Sequence, residues 1–75
     1  MIYLVSLHDE EVQNGRTVLG YVTDLASLGK IKEDPFLKFL KIEVGEFQNL
    51  YEEVYIAKTS REDAEIWVEP VHEID

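Results

Sequence analysis

The chain has 75 residues, the size of one small domain, and we assign residues 1–75 to a single domain. Hydrophobic residues make up 45%, enough for a globular core, while 16 acidic residues against 7 basic ones give a net charge of −9. Because the chain has no cysteine, disulfide scaffolds, Cys-ligated zinc, iron–sulfur clusters and thiol catalysis are excluded. No apolar run approaches the roughly 18 residues of a transmembrane helix, and Met1–Val5 lacks the basic region of a signal peptide. The composition therefore predicts a soluble, cytoplasmic protein without a membrane partner.

The first predicted element is a β-hairpin. Residues 2–8 and 17–23 are rich in strand formers, and Asn14-Gly15 between them is the pair that a two-residue type I′ turn favours. Such a turn would place Leu7 opposite Val22. Because the run 9–11 is acidic and poor strand material, a longer loop is the alternative. The core face of the hairpin would consist of Tyr3, Val5, Leu7, Val18 and Val22.

Two short helices are predicted next. Thr23 or Asp24 is suited to cap a first helix, which would end at Gly29. Asp34-Pro35 begins a second, because the aspartate caps free N–H groups and proline fits the first helical position. The apolar stripe of this second helix comprises Phe36, Phe39 and Leu40, with Lys38 and Lys41 on the other side.

The second half of the chain predicts three strands, over residues 41–47, 53–58 and 64–69, with turns at 48–50 and 59–63. Pro70 indicates that the last strand ends there or lies at a sheet edge. An alternative makes Ser60 the N-cap of a helix through Trp67. We predict an α+β fold: a single small domain of about five mostly antiparallel strands, with one or two short helices on one face.

No catalytic site can be assembled from the sequence. The glycines are isolated, so phosphate-binding and dinucleotide-binding loops are absent, and no serine lies in a G-x-S-x-G motif. The densest group of potential metal ligands is His8-Asp9-Glu10-Glu11, but successive strand residues point to opposite faces and cannot converge on one ion. We therefore predict no enzymatic activity, no metal and no cofactor.

The last fourteen residues are strongly acidic, with six acids and no base. In a strand, and if Pro70 does not reverse the register, Glu65, Trp67, Glu69 and Glu73 would alternate onto one side, and Ile66 and Val68 would face the core. Tryptophan is frequent in binding hot spots, and carboxylates at alternate strand positions lie roughly 6.5–7 Å apart, close to the phosphate spacing of a nucleic-acid strand. The pattern predicts that these four residues contact a basic partner. The ordinary interpretation is that the indole covers the sheet while the glutamates are solvated.

The segments M-I-Y-L-V at Met1–Val5 and L-G-Y-V-T at Leu19–Thr23, followed by a short helix, resemble small accessory proteins encoded by bacteriophages and prophages. The resemblance covers about a third of the chain. It implies an inhibitor that binds and redirects a host protein, such as a nuclease or a polymerase, in some cases as a DNA mimic. It assigns no catalytic or binding residue.

Three functional interpretations follow. The first is a non-enzymatic, phage-type binding protein that occludes a basic site on a host protein, with no direct contact to nucleic acid, which an acidic surface repels. The alternative is a structural or assembly module that homodimerises through an edge strand. The third is a small enzyme or ligand-binding domain whose site forms between protomers. Salt separates the first two, because ionic strength weakens an electrostatic contact but not an apolar one.

Overall fold

The computed structural model describes residues 1–10 and 15–72; the predicted turn residue Asn14 and the predicted contact residue Glu73 lie outside these ranges. Five antiparallel strands form one sheet: β1 (Ile2–Asp9), β2 (Arg16–Val22), β3 (Val44–Tyr51), β4 (Val54–Thr59) and β5 (Ala64–Val71). Their order across the sheet is β2-β1-β5-β4-β3. Between β2 and β3 lies a bent helical segment, a 3₁₀ helix (Leu25–Glu33) followed by α1 (Pro35–Phe39). Strands and helical segment together give the predicted α+β fold.

None of the helices in the described part of the chain has the length and apolar character needed to cross a bilayer.

The register of β1 and β2 differs from the predicted hairpin. Leu7 lies opposite Thr17, not opposite Val22. β1 ends at Asp9, whose N–H donates to the Gly15 carbonyl at 2.7 Å. A two-residue turn at Asn14-Gly15 would require a different register, so that predicted turn is wrong.

A bulge in β2 changes which side chains face the core. Val5 pairs with Gly20 and Ser6 with Val18, so Leu19 is the extra residue. Gly20 adopts a φ of 152°, which a residue with a Cβ rarely does. Leu19 consequently packs against the core, whereas Val18, predicted to be a core residue, is 56% exposed.

Aspartate caps set both pieces of the helical segment, as predicted. The Asp24 carboxylate accepts a 2.7 Å hydrogen bond from a backbone N–H of the first turn, and Asp34 accepts two, at 3.0 and 3.1 Å. The predicted stop at Gly29 is wrong, because the 3₁₀ helix continues to Glu33.

The apolar stripe predicted for α1 faces away from the core. Leu37 is fully buried, whereas Phe39 is 81% exposed on the opposite side of the helix. The helix exit decides this orientation: Lys41 has a φ of 58°, and the N–H of Ile42 donates to the Leu37 carbonyl at 2.9 Å. This is a Schellman motif, in which hydrophobic residues before and after the helix end commonly pack together. Here these residues are Leu37 and Ile42, and both are buried.

The hairpin of β3 and β4 turns later than predicted. β3 runs through residues 48–50, and the connection consists of Glu52 and Glu53. The Asn49 amide donates to the carbonyls of Glu52 and Val54, at 2.8 and 3.2 Å. Asparagine is typical of turns, but here it stabilises the turn from within the strand.

β5 is a central strand, so the alternative helix from Ser60 and the edge position for this strand are both wrong. Pro70 is tolerated because it pairs with Tyr3 of β1 on one side only; on the other side the pairing with β4 ends at Val68. The preceding turn is confirmed to within one residue, since β4 ends at Thr59.

Residues of the sheet and of the helical segment together form the buried core. Val68 and Ile66, predicted to face inward, are fully buried. The buried cluster consists of Tyr3, Val5, Leu7, Ile31, Leu37, Ile42, Ala57, Ala64, Ile66 and Val68.

Candidate functional site

The opposite face of the sheet carries the side chains that alternate with the core residues. Cross-strand pairing arranges them in rows. The rows are Arg16, His8, Glu65 and Lys58; then Val18, Ser6, Trp67 and Ile56; then Tyr21, Leu4 and Glu69; then Ile2 and Val71. We call this set of residues the outer face.

Trp67 lies at the centre of the outer face, paired with Ser6 on β1 and Ile56 on β4. Its ring stacks on His8, with centroids 5.0 Å apart and an interplanar angle of 25°. The buried indole Nε1 has no hydrogen-bond partner among the described residues. Packing, rather than a polar contact, therefore holds the ring on this face.

The described glutamates of the predicted contact set share the outer face, but each has a cation nearby. Glu69 forms an ion pair of 3.5 Å with Arg16, which reaches over from β2. Glu65 stands between His8 and Lys58 in its row. Two cations thus balance two anions, and the outer face is neutral within a chain of net charge −9.

His8 adds no charge to the outer face at neutral pH. Burial lowers the pKa of its imidazole below the usual 6.5, and the nearby Arg16 lowers it further, against the opposing effect of Glu69 and Glu65. The ring is therefore uncharged at pH 7. Its Nε2 lies 3.2 Å from the hydroxyl of the buried Ser6, which fixes the ring against the sheet.

Apolar side chains surround this centre and remain open to solvent. Ile2, Val18, Tyr21 and Val71 are between 47% and 65% exposed. Val18 is predicted as a core residue from the sequence, and it lies on the surface because the bulge in β2 turns it outward. Contiguous apolar exposure of this kind is typical of an interaction surface.

A second exposed apolar group lies on the helical segment. Phe36, Phe39 and Leu40 of α1 and its exit are 42%, 81% and 36% exposed. A surface depression nearby is lined by the lysines at positions 32, 38 and 41. This group is smaller than the outer face and provides a matched control surface for substitutions.

Another candidate is a cleft of about 280 Å³ between β2 and the helical segment, whose charged side chains are Lys30, Glu33 and Asp34. The carboxylate of Asp34 is already engaged in capping α1. Within residues 1–10 and 15–72, no three His, Asp or Glu side chains come together as metal ligands. The outer face is therefore the candidate site.

Comparison of the chain with known protein families, with curated proteins and with solved structures gives no match.

Proposed function

We propose that this protein is a non-enzymatic binding protein that uses the outer face to cover a complementary surface of another protein. The observation that supports this proposal is a neutral, largely apolar face with a central tryptophan, on a chain whose net charge is −9. The central parts of protein interfaces are depleted in charge and enriched in aromatic residues. The outer face has this composition.

The proposed partner has a basic surface. A net charge of −9 attracts such a partner from a distance and speeds the encounter, while the outer face makes the close contact. The phage resemblance implies a host protein whose basic site would be occluded. Because Glu65 and Glu69 each neighbour a cation, the geometry favours a mixed apolar and charged interface over an imitation of a phosphate row.

We also propose that both pieces of the helical segment pack on the core face only. Ile31 of the 3₁₀ helix and Leu37 of α1 belong to the buried cluster, which supports this arrangement. The outer face is then left free for a partner.

An edge-strand dimer has less support than binding through the outer face. β2 and β3 are the edge strands, and the pairing of each with its neighbour is interrupted by register shifts. Bulges twist an edge away from regular pairing and hinder the addition of another strand.

The experiment compares two charge insertions on opposite sides of the molecule. We immobilise the 75-residue parent, Val18→Glu on the outer face and Phe39→Glu on the helical segment. Proteins retained from bacterial lysate are identified by mass spectrometry. The dissociation constant of the purified partner is then measured for each variant. We expect Val18→Glu to weaken binding about tenfold or more, and Phe39→Glu to change it by less than about twofold.

A double substitution tests the glutamates themselves. Glu65→Gln with Glu69→Gln should slow association and reduce its dependence on salt, because exposed carboxylates act mainly on the encounter. A partner that binds parent and Val18→Glu equally well, or that is lost only with Phe39→Glu, would contradict the proposed use of the outer face.

A further inference from the structure

We infer that, when no other partner is present, a second copy of this chain covers the outer face, so that the isolated protein is a homodimer of two sheets packed face to face. This inference rests on the proposed role of the outer face as a protein-binding surface. The second copy is the molecule that covers the outer face, and the homodimer is the state from which another partner must displace it.

The area of the outer face fits a weak dimer. Four strands about 4.8 Å apart give a width of about 19 Å, and strands of six to eight residues at about 3.3 Å per residue give a length of about 23 Å. The footprint is therefore on the order of 450 Å² per copy, or about 900 Å² in total. Transient complexes bury less than about 1,200 Å², so we expect a weak dimer with a dissociation constant in the micromolar range.

The outer face carries charges of both signs, so two copies of it can be electrostatically complementary. A two-fold symmetric contact brings a surface against an identical surface, so a face with charge of one sign would repel itself. The outer face instead holds Arg16 and Lys58 together with Glu65 and Glu69. In a chain of net charge −9, two copies can approach through this face without opposing acids on acids.

The apolar rows supply the packing. Val18, Trp67 and Ile56 share one row, and the side chains of such rows interdigitate when two sheets stack about 10 Å apart. Tyr21 and Ile2, both about half or more exposed, extend the contact toward the far end of the strands. The helical segment contributes Ile31 and Leu37 to the buried cluster, which supports treating these outer-face side chains as uncovered.

The fluorescence of Trp67 can report this contact. Trp67 is the only tryptophan in the sequence, and it stands in the middle of the outer face. Association through this face should remove water from the indole and move its emission to shorter wavelength, in step with the rise in mass. Association through the helical segment or through an edge strand should leave the emission unchanged.

The test is sedimentation equilibrium with parallel fluorescence, from about 1 to 500 μM protein at 0.15 M salt. The parent should pass from monomer to dimer with a dissociation constant on the order of 1–100 μM. Val18→Glu should remain monomeric over the range, and Tyr21→Glu is an independent second variant should the first lose its fold, which circular dichroism reports. Phe39→Glu should dimerise like the parent.

Three results would overturn the inference: a monomeric parent at all concentrations, a dimer that survives both outer-face substitutions, or one abolished by Phe39→Glu. A monomeric parent that retains a partner through Val18 would refute the dimer and leave the proposed function standing. A dimer lost in Val18→Glu, with partner binding unaffected by the same substitution, would support the dimer and refute the proposed function.

Discussion

Leu37 and Phe39 lie two residues apart on α1 and have opposite environments, which makes them a sharp test of how the helical segment packs. Leu37 is fully buried in the core cluster, and Phe39 is 81% exposed. The sequence pattern alone assigns the core to the stripe that contains Phe39. Leu37→Ala and Phe39→Ala should therefore differ strongly, and in the order opposite to the one that the stripe predicts.

The size of the difference follows from burial. Replacing a fully buried leucine by alanine costs about 2–5 kcal/mol, because methyl groups leave an apolar site and a cavity remains. Substitution of an exposed side chain changes the free energy of unfolding by about 0.5 kcal/mol or less. At 0.05–0.15 kcal/mol per residue, a domain of this size has a total stability of about 4–11 kcal/mol. A loss of about 3 kcal/mol would lower Tm by roughly 12–24 °C.

The assay is urea unfolding, followed by far-ultraviolet circular dichroism and by the fluorescence of Trp67. One low protein concentration is used throughout, because dimerisation would add to the apparent stability. The slope of the unfolding free energy against urea should be unchanged, so that midpoints compare directly. If Phe39→Ala lowers the midpoint as much as Leu37→Ala does, α1 packs with its other face inward and the orientation described above is wrong.

Three further substitutions test single features of the fold. Gly15→Val places a β-branched residue at a φ of 65° and should cost about 1–2 kcal/mol of unfolding free energy; an unchanged urea midpoint would show that this backbone conformation is not required. Arg61→Met removes a 3.2 Å ion pair from the mostly buried carboxylate of Asp9 and should lower the free energy of unfolding by about 1–3 kcal/mol. Adding Asp9→Asn to Arg61→Met should recover part of that loss. A double variant as unstable as the single one would contradict the pairing. His8 has a pKa below its usual 6.5 in the folded state, so the unfolded chain binds the proton more tightly, and the stability from the neutral ring is complete above pH 6.5 and is lost as pH falls through the folded-state pKa. His8→Gln should flatten the decline in stability between pH 7 and 5, and identical pH profiles for parent and variant would refute the assignment.

Local features of this protein follow from its sequence, because they depend on neighbours within a few residues. The caps at Asp24 and Asp34 satisfy N–H groups two or three positions further along the chain. The alternation that buries Ile66 and Val68 and turns Trp67 outward follows from the two-residue period of a strand. The α+β composition and most of the later strand positions are predictable for the same reason.

Register and orientation are decided by contacts between distant segments. A one-residue bulge in β2, accommodated at Gly20, exchanges Val18 for Leu19 in the core, and no local pattern marks it. The exit of α1 at Lys41 selects Leu37 as the buried residue although a broader apolar stripe lies beside it. Both outcomes depend on the whole sheet against which these residues pack.

The electrostatic character of the outer face also exists only in the folded chain. The sequence concentrates acids at the C-terminal end and suggests a uniformly acidic strand. Folding places β5 in the middle of the sheet, where Arg16, 53 positions before Glu69, reaches that glutamate and Lys58 stands opposite Glu65. Coulomb interaction depends on distance in space, so the neutrality of this face was set by strand order and not by the local sequence.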